Sequence, residues 1–140
     1  MEEIVIREFR TEDIPFITNS WLTSFRDQSF FTRDIPKHIY FKCHGELASR
    51  ILQRRTSLTL VAASKEDSDI IIGYLVTEKT RGYDIVHYVY VKRAFNGLGI
   101  CKLLFGAAGE FEYASHLTRS GKALIEKLDL KYCPYLLFYA

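Results

Sequence analysis

The chain is poor in cysteine. Cys43, Cys101 and Cys133 are an odd number with no paired spacing, which argues against both a disulfide framework and a zinc site. Proline is as scarce, and no linker, internal repeat or low-complexity tract divides the chain. Charge of one sign is also lacking. The net charge of +2 is too small to argue for a nucleic-acid partner. No apolar run approaches a membrane span, and Met1-Glu2-Glu3 does not open a signal peptide. These absences point to a soluble, cytoplasmic protein without a membrane or nucleic-acid partner. What is present is apolar: 48% of the 140 residues are hydrophobic. That is enough for one globular domain, residues 1–140, with a real core.

The chain is organised around Val89–Leu104, VYVKRAFNGLGICKLL. It reads as a strand end, a glycine turn, then an amphipathic helix. Ile100, Leu103, Leu104, Ala107, Ala108 and Phe111 follow the spacing of one buried helical face. A helix start carries unpaired N–H groups and a partial positive charge. Glycines there let a phosphate approach the backbone, so Gly97 and Gly99 fit a pyrophosphate cradle. A plain strand–helix connection would use the same residues.

Around this stretch the pattern alternates. Ile4–Arg7 is a short strand. Thr11-Glu12-Asp13 offers caps to a helix with Pro15 in its first turn and Ile14, Ile17, Trp21, Leu22 and Phe25 inward. Arg26–Arg33 is polar, with Phe30 and Phe31 embedded. Asp34–Arg54 predicts a long helix with a stripe of Ile39, Cys43, Leu47 and Ile51. His44 lies beside that stripe and reads as a packed histidine, since no second ligand is spaced with it. Ser57–Ala63 and Ile70–Glu78 read as a hairpin. Tyr83–Val91, apolar on both faces, reads as a central strand. Gly109 is a C-cap candidate. A strand over Phe111–Leu117, a helix from Thr118 or Ser120 to Leu128 with Leu124, Ile125 and Leu128 inward, and a last strand over Lys131–Tyr139 complete the reading.

Phe95–Leu104 resembles the acyl-CoA-binding motif of the GCN5-related N-acetyltransferase (GNAT) superfamily. Asn96 stands at that motif's Arg/Gln place, Gly99 at its central glycine and Cys101 at its small-residue place. Ile6–Ile14 also resembles a GNAT N-terminus, where the first strand ends in Arg and an Asp opens the first helix. The resemblance implies an α/β fold with a mixed, mostly antiparallel sheet flanked by helices on both faces. It implies acetyl-CoA as co-substrate and a primary amine, on a small molecule or a protein lysine, as acceptor. Val89 and Val91 would pair with the pantetheine. The amides of Gly97, Leu98, Gly99, Cys101 and Lys102 would face the pyrophosphate. A homodimer is compatible with this reading.

Acetyl transfer needs a free amine. Deprotonating an ammonium of pKa about 10.4 at neutral pH costs roughly 4–5 kcal/mol, so a base is needed. His87, on the central strand, is the first candidate, with Asp84 second. A structural histidine satisfied by a backbone carbonyl is the alternative for His87. The family's general-acid Tyr on the last helix is replaced by Ile125, and its Gly-Phe pair by Asp129-Leu130. His116, Tyr132 or Tyr135 could supply the proton instead, or water could. The rival function is a domain that has lost catalysis and serves as a CoA-binding or protein-interaction module.

Overall fold

The computed structural model describes residues 3–138. Met1, Glu2 and Tyr139, the expected end of the last strand, lie outside the described residues. Six strands form one sheet in sequence order: β1 (Ile4–Glu8), β2 (Ser57–Ser64), β3 (Ile71–Thr80), β4 (Tyr83–Val91), β5 (Tyr113–Ala114) and β6 (Lys131–Tyr132). Strands β1 to β4 are antiparallel neighbours, whereas β4–β5 and β5–β6 are parallel. Helices α1 (Ile14–Gln28) and α2 (Lys37–Gln53) cover one face. Helix α3 (Ile100–Ala108) covers the other, with α4 (Lys122–Lys127) beside it. The mixed sheet with helices on both faces is as the GNAT resemblance implies.

Alternation divides the core. Val61, Ala63, Tyr74, Val76 and Tyr88 face α1 and α2, against Ile17, Trp21, Leu47 and Ile51. Leu60, Ala62, Leu75 and Val86 face α3, against Ile100 and Leu104. Two-faced burial of β3 and β4 explains their near-continuous apolar runs. The chain enters α1 through a buried carboxylate. Asp13 accepts the Arg10 N–H at 2.7 Å and a bidentate pair from Arg7 at 2.7 and 3.0 Å. Arg7 therefore ties β1 to the helix start.

Several elements differ from expectation. Helix α2 starts at Lys37 and turns Tyr40, His44, Leu47 and Ile51 inward, leaving Ile39 and Cys43 exposed. Tyr40 wins the inward position because its hydroxyl donates to the Leu22 carbonyl at 2.6 Å, which a buried phenol requires. On α3 only Ile100 and Leu104 are buried; Leu103 is exposed, because the helix lies across the face of β2 and β3 and turns only one narrow stripe to it. Leu128 is exposed and Leu130 buried in its place: α4 stops at Lys127, and Asp129 in a left-handed conformation turns the chain inward. The strand expected over Phe111–Leu117 contracts to Tyr113–Ala114. The expected last strand keeps only Lys131–Tyr132 before Pro134–Leu137 forms a 3-10 turn. Proline's fixed φ and missing N–H favour that turn over a ladder.

Candidate active site

The short β5 creates the site. It pairs with β4 only at Ile85 and Val86, and the Ser115 N–H to Val86 carbonyl bond closes that pairing. One residue later β4 bulges. Val76 stands opposite Tyr88 but Thr77 stands opposite Val86, so His87 is the inserted residue. A bulge bends its strand and sharpens the local twist. Beyond it β4 and β5 diverge, and a cleft opens with walls that include Val86, His87, Tyr88, Val89, Ala114, His116, Leu124 and Ile125. Among the described residues, the edge of β4 that faces this cleft, down to Val91, has no strand partner.

The glycine turn lies past the open end of β4. Arg93–Phe95 makes one 3-10 turn, and Gly97 and Gly99 follow with φ of +80° and +79°. These are left-handed conformations that side chains with a Cβ resist. A Cβ built on either glycine would meet nothing within 4 Å, so the space above both is open. Gly99 caps α3, no side chain caps that helix start, and the first helical bond runs from Leu103 N–H to Gly99 carbonyl. The amides of Ile100, Cys101 and Lys102 thus start the helix without helical acceptors. A diphosphate fits this loop: bare amides, a positive helix end and no side chain in the way. Burial raises the Cys101 thiol pKa, so the sulfur is no thiolate and adds no like charge.

Behind the cleft lies a chain of buried polar side chains. His87 Nε2 is 2.7 Å from Glu78 Oε1, and His87 Nδ1 is 2.7 Å from Ser115 Oγ. Ser115 Oγ is 3.0 Å from His116 Nδ1, and His116 Nε2 is 2.9 Å from His44 Nε2. Trp21 Nε1–H donates to the same His116 nitrogen at 3.3 Å. The two ends assign the tautomers. Indole can only donate and an ionised carboxylate can only accept. Hence His44 and Trp21 donate to His116, His116 donates to Ser115, Ser115 to His87, and His87 to Glu78. Glu78 is held ionised: burial opposes this, but bonds from His87 and Thr56 and the Arg54 guanidinium at 3.1 Å outweigh it and lower its pKa. Burial in turn lowers the His87 pKa despite the carboxylate, and keeps His116 well below its ordinary value.

No family model matches this sequence, and no curated protein matches it. Solved structures do match. A ribosomal-protein-alanine N-acetyltransferase from Brucella melitensis aligns at TM-score 0.60 and 15% identity over 90% of each chain. An acetyltransferase of the GNAT family from Staphylococcus aureus aligns at TM-score 0.53 and 14% identity, over 75% of this chain and 62% of that one. A PaiA N-acetyltransferase from Thermoplasma acidophilum, in complex with coenzyme A, aligns at TM-score 0.52 and 16% identity, over 76% and 69%. The chain has the GNAT fold.

Within the GNAT fold, the residues that the sequence reading assigns to the cofactor lie along one path. Val89 and Val91 are on the unpaired part of β4, and Asn96, Gly97, Leu98, Gly99, Cys101 and Lys102 form the turn and helix start beyond it. His87 and His116 line the cleft, whereas Asp84 and Tyr132 are not among its walls. Asp84 lies at the closed end, where its carbonyl accepts the Glu112 N–H. Tyr132 stands opposite Ala114 in the register, one strand further out, and is exposed. Tyr135 is exposed on the last 3-10 turn. Ile125 is part of the cleft wall. Glu78 and Ser115 as partners of His87, and His44 as the partner of His116, escape sequence reasoning. A carboxylate ending an apolar strand is the one local signal, and it points at Glu78 alone.

The buried histidines make acid stability a test of the chain. Burial lowers the His44 pKa to about 4, whereas the unfolded chain takes up that proton near the ordinary pKa of about 6.5. The unfolded state then binds more protons, so stability falls as pH drops from about 6.5 toward 4. For His44 alone the loss is on the order of 3 kcal/mol, at about 1.36 kcal/mol per unit. Asp13 and Glu78, whose pKa values folding lowers, lose their contribution at lower pH. Urea unfolding should therefore show a marked fall in midpoint between pH 7 and 5, and His44→Gln should flatten it. Equal midpoints for wild type at the two pH values would rule out neutral buried histidines.

Proposed function

We propose that this protein is an acetyl-CoA-dependent N-acetyltransferase acting on a primary amine. The observation that carries the reading is the uncapped glycine turn at the open end of the β4–β5 cleft. When bound, acetyl-CoA supplies an acetyl group activated as a thioester. Val89 and Val91 offer backbone groups to its pantetheine arm, and the amides from Gly97 to Lys102 receive its pyrophosphate. Several such contacts act together, since one anion–dipole contact is worth only roughly 0.3–1 kcal/mol.

His87 remains our proposed base. Both its ring nitrogens are engaged, so a proton reaches it through Ser115 and not from the amine itself. The amine's proton enters at His116, a cleft-wall residue whose Nε2 only accepts in the resting chain. His116 Nδ1–H then passes to Ser115, Ser115 Oγ–H to His87 Nδ1 and His87 Nε2–H to Glu78, so uptake moves no charge through bare apolar core. Asp84 and Tyr132 are secondary proposals for base and acid. Partial burial raises the Tyr132 phenol pKa, so the phenol is protonated at neutral pH. Ile125 in the cleft wall, where the resembled family keeps a phenol, favours a second reading: a CoA-binding or interaction module without turnover.

The test has two parts. Calorimetry with CoA should give a saturable binding isotherm. Thiol release from acetyl-CoA should then depend on an added amine, across a panel of small amines and lysine peptides. Binding without amine-dependent release would select the non-catalytic module. No CoA binding by folded protein would remove both readings.

A further inference from the structure

A second pocket lies at the C-terminal end of α1. Its walls are Arg26, Asp27, Gln28, Ser29, Phe30, Arg33 and Arg119. Three guanidiniums thus share a pocket with one carboxylate, and no ion pair forms between Asp27 and any of them. Arg26 explains itself. It sits in the last helical turn, where a cation is favoured. It also donates to the Thr32 and Ile35 carbonyls at 3.4 and 3.0 Å and lies over the Tyr40 ring. Arg33 and Arg119 are outside that turn. Arg33 rests on the exposed Phe30 ring, 5.0 Å from its centroid. Among the described residues neither Arg33 nor Arg119 has a carboxylate partner.

The pocket and the cleft share a wall. The loop from Ser115 to Gly121 presents His116, Thr118 and Gly121 to the cleft and Arg119 to the pocket. This loop is clamped onto the end of α1. The Arg119 N–H donates to the Gln28 carbonyl at 3.2 Å, and Gln28 Oε1 accepts from both the Ser120 N–H and its hydroxyl. The clamp fixes Arg119 at the rim, one residue from the cleft wall. Two free guanidinium forks beside a reaction cleft match a carboxylate or a phosphate, which they bind bidentately.

We infer that the acceptor amine carries an anionic group, a carboxylate or a phosphate, which Arg33 and Arg119 hold while the amine reaches into the cleft. This rests on the acetyl-transfer reading for the reaction, but the anion site can be read without turnover. Matched pairs of amines test it: phosphoethanolamine against ethanolamine, β-alanine against propylamine, and a lysine peptide with a neighbouring Asp against the same peptide with Ala. In wild type the anionic member of a pair should have a KM lower by about tenfold or more, as expected for a charge-assisted bidentate contact. Which pair shows the largest gap identifies the source of the anion. Arg119→Gln and Arg33→Gln should remove the gap while kcat and the CoA dissociation constant stay unchanged, and Arg→Lys should restore part of it. Equal KM values across every wild-type pair would overturn the inference. Calorimetric titration of phosphoethanolamine and ethanolamine into CoA-loaded protein separates the two ideas. Selective binding of the anion that is lost in Arg119→Gln, without turnover, would retain the pocket and sink the transferase. Equal binding of both amines would sink the pocket.

Discussion

Gly99→Glu should abolish CoA binding while leaving the protein folded. Gly99 is the N-cap of α3 at φ +79°, where any side chain costs roughly 1–2 kcal/mol of backbone strain. Strain alone would weaken the loop without emptying it. The larger effect comes from where the side chain goes. The space above Gly99 is open, so the glutamate folds into it without a clash and puts a carboxylate where the pyrophosphate would lie. There it also satisfies the helix start that the phosphate would otherwise satisfy. Three variants separate these contributions. Gly99→Ala carries the strain without the charge and should lose CoA affinity partly. Gly99→Gln fills the space without the charge. Gly99→Glu should show no measurable heat with CoA. Circular dichroism spectra matching wild type would establish that all three are folded. Equal CoA dissociation constants for wild type and Gly99→Glu would remove the proposed cofactor site.

His87→Ala should lower the acetyl-transfer rate at neutral pH by roughly 10²–10⁴-fold, the range of one acid–base group, with CoA affinity nearly unchanged. The variant also has a structural consequence. It strips one partner from the buried Glu78 and one from Ser115, which costs about 1–3 kcal/mol each where nothing replaces the bond. A lower melting temperature is therefore expected whether or not His87 handles a proton. Ser115→Ala resolves the ambiguity, because it cuts the chain of hydrogen bonds between His116 and His87 and leaves the His87–Glu78 bond intact. If protons pass along this chain, both variants should lose rate and both should change the pH–rate profile. A proton inventory in mixed light and heavy water should go from a curved dependence in wild type to a linear one in Ser115→Ala. A purely structural role would lower stability and leave the pH–rate profile and the inventory as they are. That result, in enzyme that still turns over, would take the base role from His87.

The sequence alone determined what local rules determine. β4 spans Tyr83–Val91, as its two-faced apolar pattern requires. Gly109 ends α3 at φ +107° and ψ −154°, a conformation that glycine adopts freely and residues with a Cβ do not. The glycine turn with its helix start is legible for the same reason: Gly97 and Gly99 mark positive φ within a few residues of an amphipathic pattern. Arg7 and Asp13 are legible through the resemblance of Ile6–Ile14. Each of these depends on neighbours within about a dozen positions.

Only the tertiary structure decided the rest. His44, Glu78 and Ser115 are far apart in the chain; His87 is near Glu78 in sequence but meets it only through the β3–β4 pairing, and no periodicity relates the four. The His87 bulge depends on its register with Thr77 and Val76, a property of two strands and not of one. The contraction of β5 to two residues follows from that bend, since a strand that turns away offers its neighbour no further ladder. Whether Ile39 or Tyr40 faces inward on α2 was settled by a hydroxyl finding the Leu22 carbonyl on another helix. The meeting of Arg33 and Arg119 in one pocket depends on Gln28 clamping a loop more than ninety positions away in sequence. Local patterns fix backbone conformation because sterics and helix periodicity act over a few residues. Buried polar partners and charged pockets are fixed by desolvation, which depends on what the folded chain brings together.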